Sequence, residues 1–133
     1  MAGPNYALDK GFNLSNSGAA QAIYRFMKFN GGENLVIQAT AITDKCIGVC
    51  QQRIDAVKSA TGNTQVDVRI LGISKVEAGA AVALMDWVGP DTTGRAVTSA
   101  STGYRAGIAL QAATAAGQWI DVLLTPVNGP VLP

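Results

Sequence analysis

Apolar and polar residues alternate along this chain in short runs, each closed by a glycine-bearing turn, which is the pattern of strands with one buried face. Ile23-Tyr24-Arg25-Phe26-Met27-Lys28-Phe29 is dense in aromatic and β-favouring residues and stops at the turn signal Asn30-Gly31-Gly32. Leu35 to Ile42 follows as its hairpin partner. Val66, Val68 and Ile70 alternate with Asp67 and Arg69, and the pattern shifts phase at Leu71-Gly72-Ile73, as a bulge at a glycine would produce. After the turn Glu77-Ala78-Gly79, residues Ala80 to Val88 read as a further strand ended by Gly89-Pro90-Asp91. A connection through Gly94-Arg95 leads into Ala96-Val97-Thr98-Ser99. Gln51 to Ala60 is the one helical stretch, a loop elaboration with Ile54 and Val57 on one side and Gly62 as its stop.

The two halves of the chain echo one another. Ile47-Gly48-Val49-Cys50-Gln51 returns as Val66-Asp67-Val68-Arg69-Ile70, and Ala106-Gly107-Ile108-Ala109-Leu110-Gln111 returns as Ile120-Asp121-Val122-Leu123-Leu124. Each copy is a glycine-centred apolar strand, a loop and an Asp-bearing apolar strand, with no catalytic residue type in either. A repeated unit of this kind builds or binds.

Short strands between glycine-marked turns predict an all-β domain, barrel-like or sandwich-like. Residues 1–22, rich in Ala, Asn, Ser and Gly, are expected to form an N-terminal arm whose spaced apolar residues Tyr6, Leu8, Phe12 and Leu14 dock on a neighbour. Residues 23–133 are then a single β domain, with a Pro/Gly-rich C-terminal tail from about 126 that cannot be a central strand.

Composition narrows the function. The 133 residues suffice for one core. Charged residues are only 14%, so much of the surface is neutral and suited to contact with other protein. Ten Lys+Arg against nine Asp+Glu leave a net charge of +1, too little to hold a phosphate backbone, so neither nucleic acid nor membrane is an expected partner. Met1-Ala2-Gly3-Pro4-Asn5 lacks the basic and apolar regions of a secretory signal, and the expectation is a soluble protein made in the cytoplasm.

Candidate chemistry is sparse. There is no histidine, so a hydrolytic triad or a zinc site would need other groups. No stretch fits a phosphate loop or dinucleotide fingerprint, and Gly103-Tyr104-Arg105-Ala106-Gly107 lacks the spacing. Cys46 and Cys50, on one strand, would stand roughly 13 Å apart, too far for a disulfide, and read as small buried residues. A glycosidase-like carboxylate pair has no distinctive signal. Thr43-Asp44-Lys45-Cys46 resembles the Asp-Lys hairpin tip of lipoyl carrier domains, but Ile42 stands where that motif has an acidic residue. The chain therefore predicts no catalytic residues, no metal and no cofactor. Trp87, at a strand end, and Trp119, which shares an outward face with Asp121 and Leu123, are candidate interface residues beside those of the arm.

The series Ala7-Leu8-Asp9-Lys10-Gly11-Phe12, Ala41-Ile42-Thr43-Asp44, Gly48-Val49-Cys50-Gln51, Val66-Asp67-Val68-Arg69, Gly72-Ile73-Ser74-Lys75-Val76-Glu77-Ala78-Gly79, Asp91-Thr92-Thr93-Gly94-Arg95-Ala96-Val97 and Ala106 to Ala113, closed by Ile120-Asp121-Val122-Leu123-Leu124, resembles the capsid cement, or head decoration, proteins of tailed bacteriophages. That resemblance implies a small domain of the β-tulip class, without catalytic residues. It also implies binding to the major capsid protein on the outer surface of the assembled head, commonly as a homotrimer. A tail or fibre-associated β module for host attachment would share the same composition.

Overall fold

The computed structural model describes residues 6–15, 19–60, 64–100 and 102–125. They form strands β1 (Leu8–Leu14), β2 (Phe26–Phe29), β3 (Leu35–Gln38), β4 (Gly48–Cys50), β5 (Gln65–Glu77), β6 (Trp87–Pro90), β7 (Ala96–Thr98), β8 (Gly107–Ala109) and β9 (Trp119–Leu124), with one short helix, α1 (Ala56–Ser59). The expected all-β class holds. A single nine-stranded sheet runs β1-β3-β2-β4-β5-β9-β8-β6-β7, and β1 also pairs with β5, closing the first part of the sheet on itself.

The echo in the sequence is a duplication of the fold, wider than the motifs that betray it. β1, β2, β3, β4 and the first half of β5 make the first repeat; the second half of β5, then β6, β7, β8 and β9 make the second. Matching hydrogen bonds fix the correspondence. Gln51 N donates to Asp67 O and Leu110 N to Asp121 O, both at 2.8 Å. Tyr24 N donates to Cys50 O and Met85 N to Ala109 O, and among the described residues Tyr24 and Met85 are the non-glycine residues with positive φ, 61° and 70°. Gln21 bridges Ile54 as Val82 bridges Ala113. Leu14 N donates to Thr64 O as Ala78 N does to Gln118 O, and Leu14 meets Val36 in parallel as Ala78 meets Ala96. One refinement of the motif alignment follows. The amide of Asp67 donates to Gln52 Oε1 and that of Asp121 to Gln111 Oε1, so Gln52, not Gln51, is the partner of Gln111.

The correspondence explains why the expected arm is not an arm over Leu8–Leu14. β1 pairs antiparallel with β5 from Leu8↔Leu71 to Asn13↔Gln65 and parallel with β3 at Asn13↔Leu35. It does for the first repeat what the second half of β5 does for the second, where Gly72 to Glu77 pair with β9. Its Gly/Asn/Ser surroundings resemble a loop, yet Phe12 and Leu14 alternate inward and are 4% exposed. Residues 1–5 and 16–18 of that expected arm, the expected helix stop Gly62 and the tail from 126 lie outside the described residues.

Each repeat has its own core. Phe12, Leu14, Met27, Val36, Cys50, Ile54, Val66 and Val68 fill the first. Their counterparts Val76, Ala78, Val88, Ala96, Ala109, Ala113, Ile120 and Val122 lie in the second cluster. The second set is smaller, and that cluster is completed by Phe26, Ala39, Cys46 and Val49 from the outer face of the first repeat. Burying apolar area at about 25 cal/mol per Å², this inter-repeat packing holds the two repeats together.

Three local expectations change. The buried positions of β5 do not shift phase: Val66 and Val68 precede Gly72, and Ser74 and Val76 follow it on the same parity. The irregularity is a register slip against β1 between Leu8 and Asp9, opposite Leu71 and Arg69, which leaves Ile70 as the extra residue. It falls where β5 exchanges β1 and β4 for β9, and Gly72 (φ 102°) is needed there because a Cβ would lie 2.6 Å from Tyr6 O. The strand expected over Ala80–Val88 is reduced to its end at β6, because Met85 turns the chain with positive φ and Leu84 and Met85 are exposed. In the helical stretch Ile54 is buried but Val57 is 82% exposed. α1 is a single turn capped by Asp55, whose carboxylate accepts the Lys58 amide at 2.8 Å.

Candidate functional site

Asp44 and Asp91 serve local structure. Asp44 accepts the amides of Thr40 and Ala41 at 2.7 and 2.9 Å and pairs with Lys28 at 2.9 Å. Burial raises its carboxyl, but these partners outweigh burial and hold it below the ordinary value. The Thr43-Asp44-Lys45 turn is thus tied by its aspartate. Asp91 behaves likewise: burial raises it, and the amides of Thr93 and Arg95, the Thr93 hydroxyl and the Arg95 guanidinium bring it below the ordinary range.

Cys46 and Cys50 are free and buried. Only Cys50 is in a strand, and the pair divides between the two cores. Burial pushes both thiols up, away from the thiolate form that reacts or ligates. Among the described residues, no group of His, Cys, Asp and Glu is placed to hold a metal ion, and no helix is long and apolar enough to cross a membrane.

The candidate interface residues separate into two classes. Phe12 and Leu14 are core residues, and their expected docking role is corrected by their burial. Tyr6 and Leu8 are 86% and 52% exposed beside the middle of β5; Trp87 and Trp119 are 40% and 53% exposed. The two tryptophans share one sheet face. Trp87 stands opposite Ile108, Ile108 opposite Leu123, and Leu123 opposite Ile73, so one apolar row crosses β6, β8, β9 and β5. Along β9, Ile120, Val122 and Leu124 point inward while Trp119, Asp121 and Leu123 point out. Arg105 covers the Trp87 ring with its guanidinium 4.8 Å from the centroid. Tyr24 meets Trp119 edge-on, centroids 4.8 Å apart. Lys75 and Asp121 pair at 3.4 Å between the two aromatic ends.

Reasoning from the sequence missed Ile73, Ile108, Arg105 and Tyr24 as members of this surface. Strand alternation placed Leu123 there, but cross-strand register is needed to bring Trp87 beside it. Where the repeats meet there is also a cavity of about 380 Å³, lined mainly by apolar side chains, among them Phe26, Ile47, Ile70, Tyr104 and Leu124, with Lys45 and Thr125. Cys46 also lines it.

No curated protein matches the chain in sequence. A solved structure, "The crystal structure of head fiber gp8.5 N base in bacteriophage phi29", matches with a TM-score of 0.64 and 16% identity, covering 91% of this chain and 96% of that one. At that identity the likeness is one of fold. A family model described as phage cement protein matches residues 27–124. Both repeats contribute most of their strands to the matched region, and the chain belongs to the phage cement protein family.

Proposed function

We propose that this protein is a structural, non-enzymatic cement that binds the outer surface of an assembled phage head and bridges neighbouring capsid subunits, acting as a homotrimer. The observation that carries the reading is membership of the cement family. It is supported by a neutral surface whose exposed feature is an apolar face rather than a reactive cleft. A protein that binds the assembled shell in preference to free subunits stabilises that shell through its binding free energy at every occupied site, and contact with more than one subunit adds avidity. No turnover is required.

The test is to add the protein to undecorated heads and measure occupancy and resistance to heat. Saturable binding that raises the temperature of head disruption is the expected result. Absence of binding to any head ends the reading. A second reading, a fibre-associated module for host attachment, is favoured by the fold shared with the head-fiber base of bacteriophage phi29. Localisation by labelled microscopy at a fibre or tail tip, with bare head faces, selects it.

A further inference from the structure

The outer face of β2 and β4 in the first repeat and that of β6 and β8 in the second are equivalent surfaces with opposite fates. Phe26 and Val49 correspond to Trp87 and Ile108, since Phe26 stands opposite Val49 as Trp87 stands opposite Ile108. Phe26 and Val49 are 0% exposed and sit in one cluster with Tyr104, Ala106 and Leu124 of the second repeat. The turn between β6 and β7 secures this contact: Gly94 O accepts the Phe26 amide at 2.8 Å, and Thr93 O accepts Arg25 Nη1 at 2.8 Å. Trp87 remains 40% exposed.

We propose that the open face of the second repeat, around Trp87, Ile108 and Leu123, is buried against a second copy of this chain, which presents the β2–β3 turn of its first repeat. Two observations choose that occupant. The fold already covers this face once, and it does so with another repeat of the same fold.

Moreover, the open row is the more apolar of the two. The covered row runs Phe26, Val49, Arg69 and ends in the Arg69–Asp9 ion pair at 2.9 Å, whereas the open row runs Trp87, Ile108, Leu123, Ile73. The charges of the open face, Arg105 and the Lys75–Asp121 pair, flank this row instead of interrupting it, which leaves a continuous apolar row of the kind that marks an interface.

The surface offered in return is also on the page. The second-repeat turn that lies on β2 begins after Pro90 and ends at Arg95; the corresponding turn of the first repeat lies between Phe29 and Leu35, which are 46% and 39% exposed. One open face and one open turn per chain make a head-to-tail contact, the kind that closes into rings or continues as filaments. This inference specifies the self-association half of the proposed function and does not depend on the capsid half.

The test uses the full chain and two variants in sedimentation: Leu123→Arg, which places on the open row the residue its counterpart carries, and Leu35→Glu on the turn. Thermal unfolding serves as the folding control, and Ile108→Lys stands in should Leu123→Arg fail to fold. The wild type is expected to be oligomeric and each variant to associate at least about tenfold more weakly, the loss typical of a central interface residue. Mixing the two variants restores a one-to-one complex, because one retains the turn and the other the face. A wild type that is monomeric in solution and uncross-linkable on heads overturns the proposal, as do variants that associate like the wild type or a mixture that stays monomeric. Head occupancy measured in parallel separates the two readings: monomers that decorate heads normally refute only the contact, while an oligomer dissolved by Leu123→Arg that never binds heads refutes only the cement role.

Discussion

Gly48 lies directly against the backbone of Arg69: a Cβ on Gly48 would collide with the Arg69 carbonyl oxygen, and Gly107 stands in the same relation to Leu123 O, 2.6 Å from such a Cβ. Both glycines open the short strand that pairs with an Asp-bearing strand, so the duplicated glycine is a packing requirement. Gly48→Ala and Gly107→Ala are each expected to destabilise the domain by about 1–3 kcal/mol, the usual penalty of overpacking. Gly32→Ala, whose Cβ would meet only Leu35 at 3.7 Å, is expected to change little. Denaturant unfolding of the three variants checks the ordering.

Asp91 ties the β6–β7 turn that lies on the first repeat. Its folded carboxyl is held below the ordinary 3.8, so its contribution is present above about pH 4 and lost as pH falls through the lower folded value. Asp91→Ala leaves the amides of Thr93 and Arg95 without their acceptor and is expected to cost about 1–3 kcal/mol at neutral pH. The stability difference between wild type and variant, measured from pH 7 downward, should narrow below pH 4. A constant difference down to the acid limit contradicts the ionised role.

Phe12 belongs to the first core and meets Phe29 edge-on with centroids 5.6 Å apart. Phe12→Ala is expected to cost about 3–5 kcal/mol, as for other buried phenylalanines. Deleting the N-terminal residues through β1 would therefore report on folding, not on docking. Tyr6→Ala, at an 86% exposed position, is expected to leave unfolding unchanged, so any fall in head occupancy with this variant measures binding.

Cys46 and Cys50 are expected to resist alkylation in the folded protein at neutral pH, because burial removes access and raises both thiols. Both should react promptly in denaturant. Mass spectrometry of alkylated native and unfolded samples gives the comparison, and rapid native modification at Cys46 would show that the cavity between the repeats admits solvent and reagent.

Much of this architecture is legible in the sequence. The alternation of Val66, Val68 and Ile70, the turn at Asn30-Gly31-Gly32 and the paired glycine and aspartate motifs marked an all-β chain with internal repetition, because strand period and turn chemistry are local properties. What escaped was non-local. β1 resembled a loose arm because its partners lie far along the chain: Phe12 faces Val66 across the sheet, and no window of sequence contains both. Val57 shared a helical side with Ile54, yet α1 is too short to bury it. The duplication extended well beyond its motifs, since Tyr24 and Met85 or Leu14 and Ala78 have little in common as side chains and correspond only through the hydrogen bonds of their backbones.

By itself, then, the sequence determined the strand-rich class, the absence of a histidine-based chemistry and the series of motifs that resembles the cement family, since all three depend on residue type and spacing. The tertiary structure alone decided that Phe26 is sealed while its counterpart Trp87 stands at the surface. Exposure is a property of what packs against a residue, and only the folded chain shows that the second repeat covers Phe26 of the first while, among the described residues, Trp87 stays 40% exposed.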